Sequence, residues 1–325
     1  MRIGNATDVA TDDVVQPFQV DRADVRGRLV RLGPAVDRIL GGHEYPEPVA
    51  NLLGELLVVA VATAGAFKFQ GMLSLQTQSD GVVPLMIAEY RAPTEGEDRV
   101  ALPAALRGYA RFDADKVAEA MRAHAPEGSV MKRLLGNGTL AFTVEPAPGS
   151  DRYQGITALD GPSIVESVHS YFRQSEQFDA AIRVDVGRIA RMSINGRSVT
   201  RGDTNEWRAG GVLIQRMPGK KGVERSDDEW RRALTLVGSV GRVDLLDPNL
   251  AARDMLHHLF PEDDVRAYQP VKVEARCRCS RDRVDMVLRS FPKNEIAEMV
   301  VNGEVSVTCE FCNARYGFAP TDLGL

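Results

Sequence analysis

Apolar residues run almost unbroken through residues 46–66, where Val49, Leu52, Leu53, Leu56 and Leu57 fill a wide face and predict a nearly all-apolar helix. The period then changes to two. Phe67, Phe69, Gly71, Leu73 and Leu75 alternate with Lys68, Gln70, Ser74 and Gln76, the pattern of a half-buried strand. Ser79-Asp80-Gly81 supplies a hairpin-type turn, and residues 82–90 the returning strand. A helical stretch around residues 116–124 follows, and Gly136-Asn137-Gly138 turns the chain into a strand over residues 139–144. Another strand, residues 153–159, stops at Asp160-Gly161-Pro162. Ser163 and Glu166 have the spacing of a capping box, opening a helix that buries Ile164, Val168, Tyr171 and Phe172. Further strands fall at residues 181–186 and 211–216, with a hairpin at Asn195-Gly196 between them.

Strands and helices thus mix without regular alternation or internal repeat. Residues 1–217 read as one α+β core domain with a mixed sheet. From Pro218 the texture changes. Gly219-Lys220-Lys221-Gly222 is a flexible, charged joint, and Ser226 with Glu229 repeats the capping pattern. Trp230, Leu234 and Val237 share one helical face. A second helix is expected with Asp247 as N-cap and Pro248 in its first turn, burying Leu250, Met255, Leu256 and Leu259 before Pro261. Short, charge-rich helices take most of their stability from what they pack on. Residues 218–270 therefore read as a metastable helical linker, open to local unfolding. Residues 271–325 remain as a small C-terminal domain.

The length of 325 residues fits about two domains. A formal net charge of −5 argues against bulk electrostatic binding of nucleic acid. The first 20 residues are acidic and lack the apolar run of a secretory signal. The longest uncharged apolar stretch, residues 56–67, is shorter than the roughly 20 residues of a membrane span, so neither nucleic acid nor membrane is an expected partner. A cytoplasmic protein is expected. Phosphate-loop, His-Glu-x-x-His and Gly-x-Ser-x-Gly patterns are absent, so no enzyme is indicated. His257-His258 reads as helix surface, Tyr171, Phe172 and Trp230 as packing residues, and Glu55 as a carboxylate either buried and paired or partly exposed.

All four cysteines follow residue 276, as Cys277-Arg278-Cys279 and Cys309-Glu310-Phe311-Cys312. Two tight thiol pairs can close a tetrahedral zinc site, because each offers two sulfurs from one turn of backbone. A dithiol oxidoreductase would place its Cys-x-x-Cys at a helix start within a βαβ unit, and none surrounds Cys309. The single residue inside the first pair departs from the usual pair of Cys-x-x-Cys knuckles, and either pair is close enough for a disulfide. Arg276, Arg278, Arg281 and Arg283 crowd the first pair. They either offset the charge of a zinc–thiolate centre or form a solvated face.

These residues resemble the redox-regulated molecular chaperones of the 33-kilodalton heat-shock family. The C-terminal match is Cys277-Arg-Cys-Ser-Arg-Asp-Arg-Val284 with Cys309-Glu-Phe-Cys-Asn313, Tyr316 and Phe318. The core match includes Tyr153-Gln-Gly-Ile156, Gln174-Ser-Glu-Gln177, Ala209-Gly-Gly-Val-Leu-Ile-Gln215 and Leu106-Arg-Gly-Tyr-Ala-Arg111. It runs from Asp24 to Phe318. The leader before Asp24 has no counterpart in it, and residues 185–206 look longer than the family's hairpin. The resemblance implies an ATP-independent holdase, inactive when reduced with one Zn²⁺ per chain on Cys277, Cys279, Cys309 and Cys312. Oxidation then forms Cys277–Cys279 and Cys309–Cys312, zinc leaves, and the linker unfolds to expose apolar surface. Oxidised chains bind unfolded clients and pair as homodimers. The alternative is a constitutive binding protein with a purely structural zinc ribbon.

Overall fold

The first strand lies where the sequence pattern suggested only a leader. The computed structural model describes residues 12–65, 71–93, 102–122, 129–147, 150–176, 179–189, 192–194, 197–199, 205–217 and 227–325. Within them Val14–Val20 (β1) is an interior strand of the main sheet, paired with Val25–Leu32 (β2) on one side. The leader before Asp24, left without a counterpart in the family match, thus supplies a strand of the core sheet. Pro17 breaks the donor pattern of β1, and its apolar alternation is short, so the strand is visible only once its partners are known. Asp13 at its start accepts from the amides of Gly33 (2.9 Å) and Ala35 (3.1 Å), capping Pro34–Gly41 (α1) from outside that helix.

Next comes Glu47–Ala64 (α2), the expected apolar helix. Its 18 residues reach the length and mean hydropathy of a membrane span, yet most are buried in this unit, the environment of a core helix. At Gly54 a Cβ would stand 2.6 Å from Val186, so a glycine there lets α2 lie close on the sheet. Met72–Ser79 (β3), Leu85–Arg91 (β4) and Ala104–Arg111 (β5) follow as an antiparallel meander. The residues 66–70 assigned to the start of β3 lie outside the described residues. β4 starts three residues later than expected, because Ser79 bonds to the carbonyls of Val83 and Pro84 and widens the turn.

Ala114–Arg122 (α3) covers most of the helix expected near residue 116. Val130–Leu135 (α4) was not anticipated; Ser129 caps it through the Lys132 amide at 3.2 Å. Gly138–Glu145 (β6) and Tyr153–Ala158 (β7) match their expected strands. Ile164–Tyr171 (α5) starts with only half of the capping box. Ser163 Oγ accepts from Glu166 N, but the Glu166 carboxylate lies 3.8 Å from His169. Glu55 of α2 does further capping, its Oε1 accepting from Val165 N at 2.9 Å. Ala180–Ile189 (β8) and Glu206–Arg216 (β11) are long antiparallel neighbours. Between them Met192–Ile194 (β9) pairs with Arg197–Val199 (β10), while Asn195-Gly196 itself lies outside the described residues.

The linker joint and Ser226 also lie outside the described residues; Asp227–Gly238 (α6) begins just after them. The second linker helix is corrected. Arg242–Leu246 (α7) and Ala252–Leu259 (α8) are separate, with Asp247 ending the first rather than starting the second. Asp247 Oδ1 accepts from Asn249 N at 2.9 Å, a turn that competes with the N-cap role. His257 and His258 are exposed, as expected. Val265–Ala267 (β12) and Val271–Ala275 (β13) both pair with β1, and β13 also joins β5 in parallel.

The strands form one sheet of order β7-β6-β3-β4-β5-β13-β1-β2-β11-β8, with β12 beside β1. Alternation along β2 and β11 sends side chains to two cores. Val30, Leu32, Ala209 and Leu213 face the α2 layer. Val25, Leu29, Val212 and Ile214 join Phe18 under Trp230, Ala233, Val237 and Leu256 of α6 and α8. Helices thus cover the sheet on both faces, the second time with the 227–260 segment. The chain divides into two compact units, Met1–Ala275 and Arg276–Leu325, so the sheet continues past residue 271 to Ala275.

Candidate metal centre

The small unit contains Arg281–Leu288 (α9), Lys293–Glu298 (α10) and a three-stranded sheet of Val300–Val301 (β14), Glu304–Thr308 (β15) and Arg315–Phe318 (β16). Asn302 and Gly303, both at positive φ, make the two-residue turn joining β14 to β15. Its buried apolar core is Leu288, Ile296, Val305, Phe318 and Leu323. So few residues give a unit of this size little hydrophobic stabilisation, and such modules are usually held by a metal or disulfides.

The first thiol pair lies on an irregular stretch before α9 and the second on a hydrogen-bonded turn. Cys277 and Cys279 precede Ser280, whose Oγ caps α9 by accepting from Arg283 N at 3.2 Å. Cys309 and Cys312 lie on the turn from β15 to β16. There Cys309 N donates to Ala314 O and Asn313 N to Cys309 O, each at 2.9 Å, with Asn313 at φ 55° closing the loop. The four sulfurs all lie within 4.8 Å of one another. Cys277 Sγ is 3.7 Å from Cys309 Sγ, and Cys279 Sγ is 3.3 Å from Cys312 Sγ. Four sulfurs at about 2.3 Å around one tetrahedral ion stand about 3.8 Å apart, so the donor set fits a metal of zinc's size and preference.

Electrostatics agree with that fit. Burial pushes the Cys309 thiol up, and burial together with the neighbouring sulfurs pushes Cys312 up to about 12. Four thiolates held this close need a cation to share their charge. Tyr316, which no local sequence signal ties to the thiols, donates its hydroxyl to Cys279 Sγ at 3.1 Å and so orients that sulfur. Arg281 lies over the Phe318 ring at 4.3 Å and donates to Gly317 O, while Arg283 donates to Arg278 O. Both guanidiniums therefore serve the module's own ring and backbone.

Fold and site together define an α+β protein that carries a metal-competent thiol cluster on a small C-terminal module. A model of the Hsp33 protein family matches residues 13–319, and the chain belongs to that family. The matched range takes in β1, which extends the resemblance back beyond Asp24. Among its relatives is the 33 kDa chaperonin of Caulobacter vibrioides, 39% identical over 97% of this chain and 99% of its own. Another is the 33 kDa chaperonin of Pseudomonas syringae pv. tomato, 36% identical over 96% and 92%. The crystal structure of the 33 kDa chaperonin, a heat shock protein 33 homologue, from Thermotoga maritima has the same fold. Its TM-score is 0.70 at 18% identity, covering 96% of this chain and 97% of that one. The family is one of chaperones, which are not a class of enzyme.

Proposed function

We propose that the chain is a redox-controlled, ATP-independent holdase of the cytoplasm, organised as a core (1–217), a switch segment (218–270) and a redox module (271–325) whose first strand, β13, is lent to the core sheet. The convergence of four sulfurs on a unit with so small an apolar core is the observation that carries this reading. Cys277, Cys279, Cys309 and Cys312 would hold one Zn²⁺ per chain, which when bound supplies the cross-links the module otherwise lacks. In the reduced chain α6 and α8 stay on the second face of the sheet and cover Phe18, Leu29, Val212 and Ile214.

Hydrogen peroxide oxidises one thiolate of a pair to a sulfenic acid, and the other thiol displaces water from it. Two thiols and one peroxide thus give one disulfide and two waters. The pairs implied by the family resemblance are Cys277–Cys279 and Cys309–Cys312, taking two peroxides per chain. The module then loses its organising centre, and the 218–270 segment loosens under mild heat. The apolar sheet face so exposed takes up unfolded clients through non-directional contact, and oxidised chains pair as homodimers.

The test is light scattering from an aggregating client at mildly elevated temperature, with reduced zinc-loaded and with peroxide-treated protein. Suppression only after oxidation, reversed by a thiol reductant, is the expected result. Equal suppression in both states would establish constitutive binding around a structural zinc. Absence of suppression in either state would overturn the holdase reading.

A further inference from the structure

A cleft of about 480 Å³ opens in the large unit between α2, α4, β8 and α7. Its walls are apolar in part, with Leu52, Met131 and Val186 among them, and its polar groups are mostly acceptors. Glu47, Asn51 and Glu55 come from successive turns of α2, and Asp185 from β8. Asn51 Oδ1 is fully buried and accepts no hydrogen bond, an arrangement that costs free energy until a donor arrives. The Asp185 carboxylate has Arg183 of its own strand at 2.7 Å. Glu55 Oε1 is held by the Val165 amide. Apolar walls and surplus acceptors together suit a cation on an aliphatic stem.

The cleft already holds such a group at its entrance. Arg242, the first residue of α7, reaches over β8 with its Nη1 3.9 Å from Asp185 Oδ1. Its guanidinium lies directly over Gly187, where a Cβ would come within 1.7 Å of Nη2. The absence of a side chain at Gly187 is what leaves room for the guanidinium beside the carboxylate. Arg242 belongs to the same 227–260 segment that covers the second sheet face.

We propose that this cleft is a binding site for an arginine side chain, and that Arg242 is its internal occupant while α7 is docked. Release of the segment vacates the entrance, and an arginine of an extended client then takes the place of Arg242. This second statement rests on the holdase reading; the first does not. Charge-assisted contact to Asp185 and a donor for Asn51 Oδ1 would add selectivity to apolar capture.

The first experiment keeps the full chain reduced and zinc-loaded, so it is independent of any redox switch. N-acetyl-arginine amide is titrated into wild type and Arg242→Ala, with chemical-shift changes read by NMR. Arg242→Ala should bind about fivefold more tightly than wild type, and adding Asp185→Asn should remove that gain. Gly187→Ala, which displaces Arg242 without deleting it, should open the cleft in the same direction. No binding to either opened variant, or equal binding of the uncharged N-acetyl-citrulline amide, would overturn the site. In the second experiment, oxidised wild type is offered one extended peptide with arginine or with citrulline at a single position. Preference for arginine that Asp185→Asn abolishes supports the client role. Equal affinity overturns that role, and a failed light-scattering test with an intact first experiment sinks only the holdase reading.

Discussion

Glu55 lies in the most apolar helix among the described residues because another helix needs it. Its Oε1 accepts from Val165 N, supplying an acceptor to the start of α5 that Glu166 does not. Burial pushes its carboxyl up to about 7, against the opposing pull of the Val165 and Ile164 amides. A carboxyl whose folded pKa exceeds its unfolded value binds more protons when folded. It therefore destabilises the fold progressively as pH rises from about 4.5 to about 7, with the full effect above that. Gln at this position keeps the acceptor and removes the ionisation. Glu55→Gln should gain stability on wild type as pH is raised from 5 to 8, measured by urea midpoints from tryptophan fluorescence. Trp207 and Trp230, the two tryptophans, both lie in the large unit, so the signal reports that unit alone. A difference between the two proteins that stays constant with pH would contradict a buried, titrating Glu55.

At the scale of elements, the question is what keeps α7 and α8 on the sheet. Apolar packing is one part, and Arg31 is another. This arginine of β2 is 1% exposed, and its guanidinium donates to the carbonyl oxygens of Asp244 (3.4 Å) and Asp247 at the end of α7. Met255 Sδ of α8 lies 3.9 Å away. A cation at a helix C-terminus satisfies carbonyls that the helix leaves unpaired. Arg31→Met keeps most of the stem and strips the donors, leaving buried acceptors at a cost of about 1–3 kcal/mol. Residues 240–260 should then exchange amide hydrogens faster while α2 stays protected. Equal protection of both segments in variant and wild type would show that apolar contact alone docks the helices.

At the scale of the whole chain, the two units differ in what holds them. The large one encloses two extensive apolar clusters, and the small one encloses five buried apolar residues beside its sulfurs. Chelating the metal from reduced protein should therefore unfold residues 276–325 and spare the sheet. Limited proteolysis should then leave a resistant fragment ending near Ala275, whereas zinc-loaded protein stays intact at the same protease dose. Persistent resistance of the small unit after chelation would mean that its core suffices without metal. Replacing Cys309 with Ser should reproduce the chelated pattern, since one lost thiolate opens a four-sulfur site.

Where periodicity was long or chemistry local, the sequence was enough by itself. The apolar run of α2, the alternation of β3 and the two thiol pairs are each written within a few residues, because period and spacing are properties of adjacent positions. Tertiary structure alone decided the rest. β1 looked like a leader because its pairing partners, β2, β12 and β13, come from both ends of the large unit. Asp247 looked like a cap because its local turn with Asn249 uses the same carboxylate a cap would, and only the Arg31 contact to its carbonyl, from 216 residues away, marks it as the end of α7. Glu55 could not be assigned because its hydrogen-bond donor is 110 residues away. Contacts between distant segments leave no period along the chain, and they are what set the sheet order and dock the helices over its second face.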